Sequence, residues 1–411
     1  MLYFPFSPKV LLLWENNGLQ GTGIGNFIET LRGMGIGSRS DAERLPLRDE
    51  LCGDDEKGRA GHFATIGGEG AQEQEHKKKL RTRFGKIDIG ESHILSKSPG
   101  TANISSYAQE TMCYVGQHLV FEEAEHVINN LTGAGFNAKQ IERVCHDYGG
   151  RIETRDLGEI EVNGYEEVSP AERDKLHYVS VDGSMYLTRE GGWKEIKLGR
   201  IYKDEDLVTV SKDRGSLAGS QYVAHLGGIG GFLPKMEYHI ENLDNKVFLA
   251  DGAVWIWNWV EDTYPDSVQI VDFYHAKEHL CGFARERFKD PGERRKWAEE
   301  QGGTMLEKGI GPVIEALEGL PGDEGTDGKR SQLIAYYEKH RHRMQYHDFL
   351  EDGLQIGSGA MESAHKDVLQ ARLKLSGQRW TMAGLQQMAQ LRVVYKSGKW
   401  DRITEMCKKA A

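Results

Sequence analysis

Three short apolar runs in the middle of this chain each stop at an aspartate: KLHYVSVDG at Asp182, NKVFLADG at Asp251 and SVQIVD at Asp272. Short runs rich in β-branched and aromatic residues, bounded by turn residues, predict strands. A further strand is expected in WKEIKLGRIY, after a hairpin turn at Gly191-Gly192. Helical stretches fall between the strands, in about Ser216 to Tyr238, in AVWIWNWV and in YHAKEHLCGFARERF. Strands alternating with helices define an α/β class with a mixed sheet and flanking helices. A carboxylate at a strand end projects into the crevice where open α/β sheets collect cations and substrates. The glycine after Asp182 and after Asp251 lets backbone and substrate approach closely.

The α/β pattern is interrupted. Residues from Gly282 to Asp348 read as wholly helical, broken by a loop at Pro321 to Lys329, so 281–351 is expected to be an all-α insertion. After it, the GSG turn Gly357 to Gly359 introduces the helix ESAHKDVLQARLKL, which opens with Glu362. Upstream, Ala124, Val127, Ile128 and Leu131 lie at helical spacing in FEEAEHVINNL, and TGAG follows as a turn. Asn137 is then a predicted N-cap for a second helix with Ile141, Val144, Cys145 and Tyr148 on one face. Residues 101–150 therefore have the outline of a helix-turn-helix, with Lys139, Gln140 and Arg143 on the outer face, within reach of phosphates or base edges. An ordinary helical hairpin gives the same pattern. Residues 1–100 form a poorly defined region whose GTGIG and GGEG segments read as loops and not as phosphate cradles.

Charge narrows the function. The chain of 411 residues carries a formal net charge of −11, unusual for a nucleic-acid enzyme. Between Ser363 and Ala411, however, ten Lys and Arg face three acids, a local basic surface able to neutralise phosphates. Five scattered cysteines without a CxxC pair argue against a disulfide framework or zinc ribbon and for a reducing cytosol. No apolar run approaches the roughly 20 residues of a bilayer span, and the apolar start lacks the features of a secretory signal.

Asp182, Asp251 and Glu362 are the candidate catalytic and metal-binding residues. Carboxylates converging on one point repel unless they hold cations, and hard oxygen ligands select Mg²⁺ or Mn²⁺. Two such ions about 4 Å apart activate a water or 3′-hydroxyl and stabilise the leaving oxygen of a phosphodiester. Each acid also has a plain reading, as a turn residue or as a complement to a helix dipole.

The segments VSVDG, LADGAVWIWN…YPDSVQIVDFYHAKEHL and RMQYHDFL…IGSGAMESAHKDVLQARLKLSGQRW resemble the DDE transposases of bacterial insertion sequences, nearest the branch related to Mutator-like elements. The resemblance runs from about Tyr107 to Val394 and includes FEEAEHVINNLTG, which serves that family as a helix-turn-helix; RTRFGKIDIG faintly resembles a family strand upstream of it. It implies an RNase H-like core in two parts, 172–280 and 352–395, split by the helical insertion, with a basic tail at 396–411. It makes Asp182 and Asp251 the catalytic aspartates and Glu362 the catalytic glutamate, holding two Mg²⁺ or Mn²⁺ ions. Asp272 and His275 match the D-x-x-H pattern that follows the second aspartate, as groups behind the metal ligands or positioning DNA. A rival assignment gives Asp272 the second aspartate's place. Lys366, Arg372, Lys374 and Arg379 extend a phosphate contact, and the Trp380 indole either stacks on an unpaired base or packs in the core.

The implied activity is metal-dependent cleavage of double-stranded DNA at transposon terminal repeats and strand transfer into target DNA. It implies a homodimer or higher assembly on DNA in the cytoplasm, associated with the nucleoid. The alternative is a transposase-derived DNA-binding protein that has lost catalysis. His365 and Gln378 depart from the family pattern, which has Cys and Met there, and neither is expected to touch the metal ligands.

Overall fold

The computed structural model describes residues 104–211 and 214–409, with the strands β1 (Lys78–Thr82) and β2 (Gly85–Ile89) ahead of them. The GTGIG and GGEG segments lie outside the described residues. β1 and β2 pair antiparallel.

Three helices follow: α1 (Ser106–Gly116), α2 (Phe121–Thr132) and α3 (Ala138–Asn163). Gly133 closes α2 in the left-handed region at φ 66°, and Asn137 caps α3 in a reciprocal pair with Gln140. A short turn of helix, α4 (Pro170–Arg173), leads into the sheet.

The sheet has five strands: β3 (Leu176–Thr188), β4 (Gly192–Lys203), β7 (Gln221–Leu226), β8 (Asn245–Ala250) and β9 (Val268–Val271). A separate two-stranded ribbon, β5 (Leu207–Ser211) with β6 (Arg214–Leu217), lies between β4 and β7 in sequence. The order across the main sheet is β7-β4-β3-β8-β9. β4 runs antiparallel to β3 and β7 antiparallel to β4, while β8 is parallel to β3 and β9 to β8. Parallel strands are covered on both faces. Here α5 (Ile229–Ile240) and α6 (Val254–Thr263) cover one face. A Cβ on Gly199 of β4 would meet Met236 of α5 at 2.1 Å, and Phe248 of β8 packs edge-on to Trp259 and stacks with Tyr264 around α6.

The opposite face carries the C-terminal helices. α12 (Gly359–Ala364) continues through a wide-turn segment, His365–Gln370, into α13 (Ala371–Leu373). α14 (Met382–Lys396) then crosses β7, its Gln390 amide donating to Ala224 O at 3.0 Å and its Gln386 accepting from Leu226 N at 2.7 Å. α3 packs on α14 so closely that a Cβ on Gly149 would stand 2.1 Å from Gln387 O. Between the two parts of this α/β unit come α7 (Phe273–Arg287), α8 (Pro291–Lys308), α9 (Gly311–Glu318), α10 (Asp327–Lys339) and α11 (Tyr346–Glu351). Tyr346 ties them to the end of the sheet by donating to Val271 O at 3.0 Å, and Tyr337 ties α10 to α7 by donating to Ala276 O at 2.9 Å.

Four local expectations are corrected. β3 does not stop at Asp182 but runs six residues further, held by its hairpin with β4. Ser216 to Tyr238 is not one helix: β6 and β7 occupy its first part, because QYVAHL completes the sheet edge beside β4. The second helix of the 101–150 region extends to Asn163 and shares a core with the C-terminal helices, so those helices are not a separate body. The basic tail folds as α15 (Asp401–Lys409), with Ile403 and Cys407 buried and Thr404 donating to Glu110 of α1 at 2.6 Å.

Candidate carboxylate site at the ends of the parallel strands

β3 and β8 pair with a numbering offset of 69, as in Val179 opposite Phe248. Asp182 and Asp251 are separated by the same offset, so the register carried three residues past the last pair sets them side by side. In a parallel pair, aligned residues project to the same face. That face is the one covered by α12, where buried Arg200 of β4 donates to Ala360 O. Asp182 lies mid-strand in β3 but beyond the end of β8, so the pairing stops where the carboxylates begin.

The two aspartates feel each other. Burial holds the Asp251 carboxyl above its usual range, the charges of Asp182 and Asp272 push it further, and the Ala253 N–H and His275 pull it back. Asp251 Oδ1 accepts from Ala253 N at 2.9 Å, and its carbonyl takes the Trp257 indole N–H at 2.7 Å. The following Gly252 is required by close packing: a Cβ there would stand 2.4 Å from the ring of Tyr336 on α10. The Tyr336 hydroxyl is buried without a partner, and burial with the Asp251 and Asp272 charges raises its pKa well above the tyrosine range.

Asp272 is buried and fully committed. Its Oδ1 caps α7 by accepting from His275 N at 3.0 Å; its Oδ2 accepts from Ser358 N at 2.6 Å and from the Ser358 hydroxyl. Its own N–H donates to Ala250 O at 2.8 Å, and Phe273 N to Ile356 O at 2.9 Å. Asp272 therefore fixes the turn that launches α12, with three donors already on its carboxylate. His275 meets His279 at 3.2 Å between their Nε2 atoms, and burial followed by the His275 charge lowers the His279 pKa.

Glu362 is exposed on the first turn of α12, and its side chain makes no hydrogen bond or ion pair among the described residues. His365, one turn later, is the residue that reaches Asp182: its Nε2 stands 3.2 Å from Asp182 Oδ2. The expectation that position 365 stays clear of the ligands is thus corrected: His365 turns inward from the helix to Asp182, whereas Glu362 one turn earlier is exposed. Among the described residues, the one set of three candidate ligand atoms within 4.8 Å of one another is His347, Asp348 and Glu351 on α11, all exposed. The strand register aligns Asp182 with Asp251, while Glu362 is exposed and is not gathered with them into a set of ligand atoms within 4.8 Å.

The expected DNA contacts divide by burial. Lys366, Lys374 and Arg379 are exposed along α12, α13 and the loop after them, and Lys139 and Arg143 are exposed on α3, Lys139 paired with Glu142 at 2.6 Å. Gln140 turns its amide oxygen back to Asn137 N at 3.1 Å, completing the cap in place of facing outward. Arg372 is corrected to a core residue, sandwiched between Phe121 at 4.8 Å and Trp380 at 5.1 Å, with Nε donating to Gly116 O at 2.9 Å. Trp380 follows its core reading: it is buried and its indole N–H donates to Leu373 O at 3.1 Å.

Residues 229–410 match the sequence profile of an uncharacterised protein family, UPF0236. The match takes in Asp251, Asp272, the helical insertion, Glu362 and His365, and begins after Asp182. Three UPF0236 proteins of Caldanaerobacter subterraneus subsp. tengcongensis are similar to the chain. One is 23% identical over 352 residues, covering 82% of this chain and 71% of the relative. A second is 23% identical over 352 residues, with 82% and 72% covered, and a third 23% over 357 residues, with 82% and 71%. The first carries eleven locus designations for one protein and the third carries four.

Proposed function

We propose that the chain is a transposase of an insertion sequence, a DDE enzyme that cuts double-stranded DNA at transposon terminal repeats and joins the ends to target DNA. The observation that carries this reading is the shared register that aligns Asp182 with Asp251 on the α12-covered face, at the point where parallel pairing ends. Three antiparallel strands followed by two parallel ones, in the order β7-β4-β3-β8-β9, support an RNase H-like core, and α7 to α11 support its helical insertion. The relative with eleven locus designations supports a mobile element, since identical copies scattered through one genome are what transposition leaves.

The donor set fits a hard divalent cation. Asp182 and Asp251 offer oxygen alone, and the Asp251 carboxyl, raised first by burial and further by the Asp182 charge, is one that a cation would hold ionised. Asp182, Asp251 and Glu362 would hold Mg²⁺ or Mn²⁺, as two ions, and these supply charge neutralisation and an activated water or 3′-hydroxyl. The chain's own residues do the rest. Asp272 and Ser358 hold the start of α12, the helix that carries Glu362. Lys366, Lys374 and Arg379 offer exposed cations to the phosphates on either side of the cut bond. Lys139 and Arg143 would contact DNA from α2 and α3 used as a helix-turn-helix, and two ends held together call for a dimer or larger assembly on nucleoid DNA.

A second reading, a DNA-binding protein that has lost catalysis, draws on one feature: His365 and not Glu362 lies against Asp182. Mobilisation of a marker flanked by the gene's own ends, measured in cells with wild type and Asp251→Ala, separates the two. We expect jumping to fall at least about a hundredfold in the variant; equal frequencies would contradict the proposal.

A further inference from the structure

We infer that His365 is a nitrogen ligand paired with Asp182, which makes this a mixed oxygen and nitrogen cation site that prefers Mn²⁺ to Mg²⁺. The inference rests on the carboxylate site proposed above and adds a ligand to it. His365 Nε2 stands 3.2 Å from Asp182 Oδ2, yet the two are not aligned as a hydrogen bond, and both His365 ring nitrogens are buried without partners. The imidazole is 5% exposed, whereas the Asp182 side chain it faces is 44% exposed, so the pair opens to solvent on the carboxylate side.

A buried imidazole with neither nitrogen satisfied carries a desolvation cost that an ordinary core position does not retain. Two lone-pair atoms held off the hydrogen-bond direction are stable when something positive lies between them. Their separation suits a cation: adjacent ligands of an octahedral ion with bonds of about 2.1 Å are about 3 Å apart. The backbone also departs from regularity here. His365 opens the wide-turn segment His365–Gln370, an interruption of the kind that recurs where a helix aims side chains at a site. Asp251 lies next to Asp182 in strand register and Glu362 one turn before His365 in the helix, and a bound cation would draw these oxygens in to complete its shell. Mn²⁺ and Mg²⁺ both favour oxygen, but Mn²⁺, a first-row transition ion, accepts one imidazole nitrogen in such a shell more readily than Mg²⁺ does.

The test measures metal directly on the full chain, with no reaction involved. Mn²⁺ and Mg²⁺ affinities are measured by calorimetry, and electron spin echo modulation of bound Mn²⁺ reports directly coordinated nitrogen. All proteins carry His347→Ala, which removes the exposed α11 set as a source of nitrogen. We expect a nitrogen signal in this parent and its loss in His365→Gln. The same change lowers Mn²⁺ affinity by about tenfold or more and shifts Mg²⁺ affinity less than about threefold. Mn²⁺ bound without nitrogen coupling in the parent overturns the histidine ligand and leaves the carboxylate site intact, and it needs no variant to fold. Equal binding by the parent and by Asp182→Ala overturns both the ligand and the proposed carboxylate site.

Discussion

At residue scale, Asp272 shows how a conspicuous acid becomes a positioning group. One oxygen caps α7 and the other grips Ser358 through two donors, all in a buried setting. Asp272→Asn turns an acceptor into a donor facing the Ser358 N–H, and a buried group left unsatisfied costs about 1–3 kcal/mol. We expect a lower melting temperature, a smaller loss in Ser358→Ala, and DNA cleavage that falls in step with the disturbed turn. A stability in Asp272→Asn equal to wild type would sink this account. Arg372 makes the opposite case. Its guanidinium lies between two aromatic rings with two nitrogens unpartnered, and burial lowers its pKa to about 10. Arg372→Met should leave DNA affinity unchanged, whereas Lys374→Ala and Arg379→Ala should each weaken DNA binding and reduce its salt slope by about one. Filter binding across a salt series distinguishes the two groups, and a slope unchanged in the lysine variant would count against the exposed basic strip.

At the scale of elements, the segment after α3 is tied to α5 and to the end of α14 by Glu166. His239 Nδ1 meets its Oε2 at 2.7 Å and Lys399 Nζ its Oε1 at 3.4 Å. Burial alone would raise the Glu166 carboxyl, but the hydrogen bond and charge of His239, with Lys399, outweigh it and bring the pKa from 4.5 down to about 2. A depressed folded-state value adds stability that is whole above about 4.5 and fades as pH falls toward about 2. Because Glu166 is partly exposed, screening leaves this on the order of 1 kcal/mol. Urea denaturation at pH 6 and pH 3 should therefore separate wild type from Glu166→Gln at the higher pH and narrow the gap at the lower. A gap that is constant with pH would contradict the linkage.

Strand and helix types were largely legible at this scale because their periodicities were clean: NKVFLADG, SVQIVD and the helix after Asp272 fold as read. β7 was hidden because QYVAHL is short and follows a glycine-rich stretch, and only pairing with β4 makes it a strand. β3 overran its expected end because an aspartate in a strand signals a turn locally, while the hairpin partner decides how far the strand runs. The aspartate pair was visible as two Asp-Gly stops, but the register that aligns them was not. Tyr336 could not have been found, since it arrives from the insertion with no local signal; His365 could, from its helical spacing to Glu362.

At the scale of the whole molecule, the helices ahead of the sheet and those that end the chain form one core. Arg402 of α15 pairs with Asp156 of α3 at 2.5 Å, and the Arg372 sandwich spans α2 and the segment before α14. A DNA-reading surface on α3 and a cutting site on β3 would thus be carried on a continuous body, consistent with a protein that must cut at a fixed distance from the sequence it reads. Among the described residues, no helix is long and apolar enough to cross a membrane. On the proposed function, Asp182, Asp251 and Glu362 act as one metal-dependent site. Its most direct test is cleavage and joining of DNA carrying the gene's flanking ends, with Mg²⁺ or Mn²⁺, by wild type, Asp182→Ala, Asp251→Ala, Asp272→Ala and Glu362→Ala. We expect metal-dependent products from wild type, none above about one part in a thousand from the Asp182, Asp251 and Glu362 variants, and reduced product from Asp272→Ala. Full activity in any of the three, or products from wild type without a divalent cation, would contradict it.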